Sequence, residues 1–155
     1  MRLFIVAIGD KLPGWAETAC AEYVRRMPRE SRVEVVAVKP EKRAGQPAEQ
    51  VRAAEASRLL ERCPKGALLV ALDEHGRQVN TRELADLLAG WRSAGRDVAL
   101  LMGGADGLSA EILARADLKL ALSRLTLPHA LARVLLTEQL YRAVSLLAGH
   151  PYHRD

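Results

Sequence analysis

The sequence predicts an α/β fold: a mainly parallel sheet with helices on both of its faces. Two patterns carry that expectation. Short continuous apolar runs, such as LFIVAI at 3–8, ALLVAL at 67–72 and DVALLM at 97–102, read as strands buried on both faces. Between them lie longer stretches with helix starts and stops, and this alternation favours parallel strands joined by helical crossovers. No linker, repeat or low-complexity stretch divides the 155 residues. One domain over 1–155 is therefore expected.

Taken in order, 2–9 (RLFIVAIG) is the first strand, ended by glycine. Pro13 and Trp15 open a helix to about Met27, with proline where its missing N–H costs nothing. The β-branched run 32–38 (RVEVVAV) is the second strand. Residues 39–47, with two prolines, one glycine and three basic residues, form a loop and the segment most prone to move. A helix over 48–62 stops at Pro64 and Gly66, and 67–72 follows as a buried strand. Asn80 and Glu83 have the spacing of a capping box for a helix to about Ser93. The strand at 97–102 runs straight into Gly103-Gly104. Ser109 caps a short helix to about Arg115, and 118–122 is the fifth strand. A long helix over 131–147 is closed by Gly149 and Pro151.

Composition narrows the function classes. With 49% hydrophobic residues and a net charge of +4, the chain is too apolar and too weakly charged to be disordered. No apolar run exceeds six residues, whereas a membrane span needs about 20. The opening run is too short for a signal peptide. Cys20 and Cys63 lack CxxC spacing and the four histidines are scattered, so neither a disulfide framework nor a metal site is expected. These features point to a reduced, cytoplasmic, metal-free protein. Its positive charge is concentrated in residues 25–65, where 11 Lys/Arg face 6 Asp/Glu. Arg25, Arg26, Lys42 and Arg43 there are candidate contacts to a phosphate backbone; a solvated face serving solubility explains the same excess.

The familiar nucleotide signatures are absent. There is no GxxxxGK[ST], no GxGxxG after the first strand and no GxSxG elbow. Ligands of open parallel sheets lie outside the carboxyl ends of the strands. Three such ends stand out here: Leu72-Asp73 before Gly76, Met102 before GGADG, and Leu122 before SRLTLPH. On the last helix Glu138 and Arg142 share one face while His129 and Arg133 share the opposite one. Glu138 before Arg142 is also the ordinary order of a stabilising i,i+4 pair. The tail, HPYHRD, sets Tyr152 and Arg154 close together, a combination suited to stacking on a base and pairing with a phosphate.

LDEHG at 72–76, MGGADG at 102–107, LALSRLTLPHALARVLLTEQLYRA at 120–143 and PYHR at 151–154 together resemble one family. It comprises the small bacterial SPOUT-class methyltransferases that modify N3 of a pseudouridine in 23S ribosomal RNA. The resemblance spans the whole chain, and the opening IGDKLPGW resembles one variant of it. Leu125 stands where the family often has Met, an apolar exchange. The resemblance implies a deep trefoil knot in the C-terminal part, about 68–155, and a homodimer whose sites form between subunits. It implies S-adenosylmethionine held by main chain at Leu72, Gly103, Leu122, Ser123, Arg124, Leu125, Thr126 and Leu127. It further implies Arg142 stabilising the acceptor's oxygens with Glu138 orienting it. His129 would be base or proton shuttle, and Tyr152, His153 and Arg154 would hold RNA. The partner would be 23S ribosomal RNA in the ribosome. A non-catalytic ribosome-associated factor with the same fold is the competing reading, and a generic nucleotide-binding enzyme lacks its phosphate loop.

Overall fold

The computed structural model describes residues 1–154. Five strands, β1 (Arg2–Ile8), β2 (Arg32–Val38), β3 (Leu68–Gln78), β4 (Val98–Met102) and β5 (Leu118–Ala121), form one sheet in the order β2-β1-β4-β3-β5. Every strand pairing is parallel. Five helices connect them: α1 (Gly14–Arg26), α2 (Ala48–Glu61), α3 (Thr81–Ser93), α4 (Ala110–Arg115) and α5 (His129–Leu147).

Side-chain alternation along β1 splits the apolar interior into two layers. Leu3, Ile5 and Ala7 pack with Leu84, Leu88 and Trp91 of α3 and Leu136, Leu140 and Val144 of α5. Phe4, Val6 and Ile8 pack on the other face with Ala56 and Leu59 of α2 and Ile112 of α4. Both faces are therefore covered, which is why the central strands read as unbroken apolar runs. Each buried Leu or Ile contributes roughly 1.5–3 kcal/mol through burial. The capping box on α3 forms as expected: Glu83 N–H donates to Asn80 Oδ1 at 2.9 Å and Asn80 N–H to Glu83 Oε2 at 2.7 Å. Ser109 Oγ accepts from Ile112 N–H at 3.2 Å to cap α4.

Three features depart from the sequence expectations. β3 continues to Gln78 beyond the apolar run, because its polar half is paired through backbone with β5. α5 begins at His129, two residues early, on an extended Pro128. A 3-10 turn, Arg29–Ser31, precedes β2. Among the described residues no helix is long and apolar enough to cross a membrane.

Candidate functional site

The carboxyl ends of β3, β4 and β5 open onto one cleft of about 750 Å³. At β3 the chain leaves the ladder. Leu72 and Arg77 both pair with Leu120, so 73–76 bulge outward and present Asp73, Glu74 and His75 to the cleft. The excursion requires Gly76, where a Cβ would sit 2.7–2.8 Å from backbone of Leu120 and Lys119. At β4, Gly103 leads into a tight turn closed by a Gly107 N–H bond to the Gly104 carbonyl at 3.0 Å. A Cβ on Gly103 would lie 2.5 Å from the Gly107 carbonyl carbon. After β5, Ser123 Oγ accepts from Leu125 N–H at 2.9 Å, folding 122–127 back over the opening. Leu72, Gly103, Leu122, Ser123, Arg124, Leu125, Thr126 and Leu127 all line this cleft, together with His129. Asp73 and Asp106, within the strand ends that stood out in the sequence, line it too, as does Arg52 of α2, which the sequence offered only as part of the basic excess. The signal for Arg52 was faint, since only the fold brings α2 and the glycine turn together.

His129 stands in the cleft wall, and both of its ring nitrogens are engaged. Nε2 faces Nη2 of Arg133 at 2.7 Å, and the ring is hydrogen-bonded to the Gly103 carbonyl. Burial and the neighbouring guanidinium outweigh the Gly103 hydrogen bond and hold the imidazole below the usual histidine range. Arg133 is 1% exposed and also donates to the carbonyls of Ile8 and Gly9 at 3.2 and 3.1 Å. Burial lowers its guanidinium from the ordinary arginine value.

Arg142, Tyr152 and His153 gather elsewhere. Arg142 pairs with Glu138 at 2.6 Å, lies 4.7 Å over the Tyr152 ring, and faces His153 Nδ1 at 3.4 Å. Tyr152 O–H donates to the same Glu138 oxygen at 3.0 Å and packs edge-on against Tyr141. The carboxylate thus holds the cation and the phenol together, raising both pKa values, although burial is the larger cause for the phenol. Arg154 is exposed beside them. Thirteen residues of helix, about 20 Å at 1.5 Å per residue, separate Arg142 from His129. Within one chain the cleft and this cluster do not meet. Of the candidate RNA contacts, Arg25 and Arg26 both pair with Glu22 of their own helix, and Arg43 pairs with Asp106 at 2.8 Å. Lys42 is exposed. The loop at 39–47, expected to move, is thereby tied to the glycine turn, and its Glu41 N–H donates to the buried Glu55 at 3.1 Å. Among the described residues no group of three or more His, Cys, Asp or Glu is arranged to hold a metal ion.

A parallel sheet with a main-chain-lined cleft at its strands' carboxyl ends defines an α/β protein of the small-ligand-binding class. Residues 1–153 match the family model described as "Predicted SPOUT methyltransferase". The chain belongs to the SPOUT methyltransferase family. It is 53% identical over 156 residues, all of both chains, to the ribosomal RNA large subunit methyltransferase H of Methylobacillus flagellatus. It is 55% identical to the protein of that name from Burkholderia multivorans, over 99% of each chain. Among solved structures, a probable methylase family protein from Haemophilus influenzae shares the fold with a TM-score of 0.54 at 14% identity, covering 99% of this chain and 70% of that one. The A. aeolicus TrmH/SpoU tRNA modifying enzyme does so at 0.51 and 16%, covering 99% and 81%.

Proposed function

We propose that this protein transfers a methyl group from S-adenosylmethionine to N3 of a pseudouridine in 23S ribosomal RNA on the ribosome, as a cytoplasmic homodimer. One observation carries the reading. The main chain at 72, 103 and 122–127, distant in sequence, converges on a single cleft, in a chain more than half identical throughout to ribosomal RNA methyltransferases.

The cleft suits that donor chemically. Leu72, Leu122, Leu127 and Met102 offer apolar walls for a nucleoside, and the turns at 103–107 and 122–127 offer main-chain groups to its edges. Asp73 and Glu74 offer negative charge to a sulfonium and an ammonium, while Arg52 and Arg124 line the same cleft and can face the ligand's carboxylate. When bound, S-adenosylmethionine supplies a methyl group on a positively charged sulfur. The family's trefoil knot is the threading that would keep these turns fixed, since positioning carries much of such a displacement.

The acceptor side falls to Arg142 and the tail. Loss of the N3 proton spreads negative charge onto the two flanking carbonyl oxygens. Arg142, aimed by Glu138, stabilises that charge as a preorganised donor. Tyr152, His153 and Arg154 hold the RNA, with Tyr152 fixed by the same carboxylate. The distance between cleft and cluster in one chain supports a second copy, each subunit's cluster completing the other's cleft. Trp15, 57% exposed, and Tyr23 line a groove along α1, a surface a second copy can cover.

Calorimetric titration with S-adenosylhomocysteine tests the reading. Saturable binding is expected, weakened tenfold or more in Gly103→Ala. No heat with the folded protein would overturn it and leave a non-catalytic ribosome-associated factor.

A further inference from the structure

Arg133 presents an anomaly that the methyl-transfer reading does not use. It is a cation 1% exposed on the inner face of α5, and among the described residues no carboxylate lies within ion-pair distance of it. Its Nε has no hydrogen-bond partner. An unpaired buried charge is costly, and an apolar side chain of similar volume is ordinarily at least as stable there. The guanidinium's neighbours show what it does instead. Nη2 faces the carbonyls of Ile8 and Gly9 at the end of β1 and His129 Nε2 at 2.7 Å. Gly9 has a φ of 122°, and a Cβ there would meet Nη2 at 3.2 Å and the His129 ring at 3.4 Å, so the chain end is shaped around this pair. From α1, Cys20 lies against Arg133 and Thr137, and Thr137 Oγ1 donates to the Arg133 carbonyl at 2.7 Å.

We infer that Arg133 is a positioning residue: it keeps His129 a neutral, fixed strut between the end of β1 and the Gly103 carbonyl, so that His129 walls the cleft and does not accept the N3 proton. The inference deepens the proposed cofactor site and rests on that reading. Its chemistry follows from donor and acceptor counts. A neutral imidazole has one N–H and one lone pair. Arginine can only donate, and the two hydrogens of Nη2 are shared among the carbonyls of Ile8 and Gly9 and the closer Nε2. The lone pair on Nε2 therefore faces Arg133 and the proton sits on Nδ1, leaving that N–H for the Gly103 carbonyl. A proton arriving at Nε2 would face an N–H at 2.7 Å and set a second positive charge against the guanidinium. The groups facing the ring are this guanidinium on α5, the Gly103 carbonyl after β4 and Gly9 after β1. Asp73, Glu74 and Asp106 line the same cleft, but among the described residues no acid is paired with the ring. The strut thus links three strand and helix ends under the cleft, where small displacements matter most for donor alignment.

The test combines imidazole NMR with ligand binding on the full-length protein. In the wild type the His129 ring is expected to keep its Nδ1–H tautomer and to titrate below the ordinary histidine range. In Arg133→Met the same ring should titrate at a higher pH than in the wild type, still held below the ordinary histidine value by its burial, and affinity for S-adenosylhomocysteine should fall tenfold or more. His129→Ala should show the same loss of affinity. His129→Gln, able to accept from Arg133 and donate to Gly103, should recover most of it and keep the wild-type shape of the kcat–pH profile. A wild-type ring titrating as an ordinary, unperturbed histidine overturns the inference. So does a His129→Gln protein that binds S-adenosylhomocysteine as the wild type does yet loses about 100-fold or more in kcat, the signature of a missing proton acceptor. Should Arg133→Met fail to fold, the wild-type titration and the His129→Gln comparison still decide. Absence of S-adenosylhomocysteine binding by the wild type would instead count against the cofactor site, with the titration still deciding the Arg133–His129 strut.

Discussion

At the scale of single residues, Glu138 holds two side chains at once, and removing its partners separates their roles. Arg142→Ala should lower turnover by about 100-fold or more, the usual loss of one preorganised donor to a developing oxyanion. Its affinity for S-adenosylhomocysteine should stay at the wild-type level, since Arg142 lies outside the cleft of its own chain. Single-turnover kinetics alongside calorimetry checks both halves. His129 governs a different variable. Its folded-state pKa lies below the unfolded one, so the unfolded chain takes up a proton first as pH falls. Stability is unaffected above about pH 6.5 and is lost as pH drops through that value. Thermal unfolding followed against pH should show that loss in the wild type and less of it in His129→Gln. The Glu138–Arg142 pair was legible in the sequence because a four-residue spacing on a helix is a contact. The burial of Arg133 was not, because periodicity placed it opposite Arg142 without saying that the opposite face is the core.

Among the elements, the three turns at the ends of β3, β4 and β5 make the cleft, and two glycines set their shape. Gly76→Ala should push β5 away from β3, because the added carbon would lie within 2.8 Å of backbone that cannot rotate away. Gly103→Ala should open the turn to Gly107 and cost tenfold or more in S-adenosylhomocysteine affinity while leaving far-ultraviolet circular dichroism unchanged. The apolar runs made β1 and β4 easy to find, and Asn80 with Glu83 located α3. The polar half of β3 was hidden for a physical reason. Residues 73–76 bulge out of the ladder and Arg77 and Gln78 rejoin it by backbone pairing to β5, which leaves no mark on side-chain pattern. α5 starts at His129 since Pro128 supplies the first fixed φ, a signal available in the sequence but outweighed by the apolar run that follows.

Over the whole molecule, charge and the proposed pairing of two copies bear on how the cleft would reach RNA. The basic excess in 25–65 is partly spent within the chain, through Glu22, Glu41 and Asp106. The exposed remainder should still give ribosome binding that weakens steeply as salt is raised, with S-adenosylhomocysteine affinity hardly changed. Parallel binding titrations over a salt series check this. The strand order could not be read from the sequence, because pairing of β1 with β4 and β3 with β5 joins segments that share no local signal. Nor could spacing reveal that the cleft and the Arg142 cluster lie at opposite ends of α5. The central claim is methylation of a ribosomal pseudouridine at N3. Mass-spectrometric mapping of 23S RNA from ribosomes incubated with this protein and S-adenosylmethionine tests it most directly. One added methyl group at N3 of a single pseudouridine, absent with Arg142→Ala, is the predicted result; unmodified RNA from a protein that binds S-adenosylhomocysteine would contradict it.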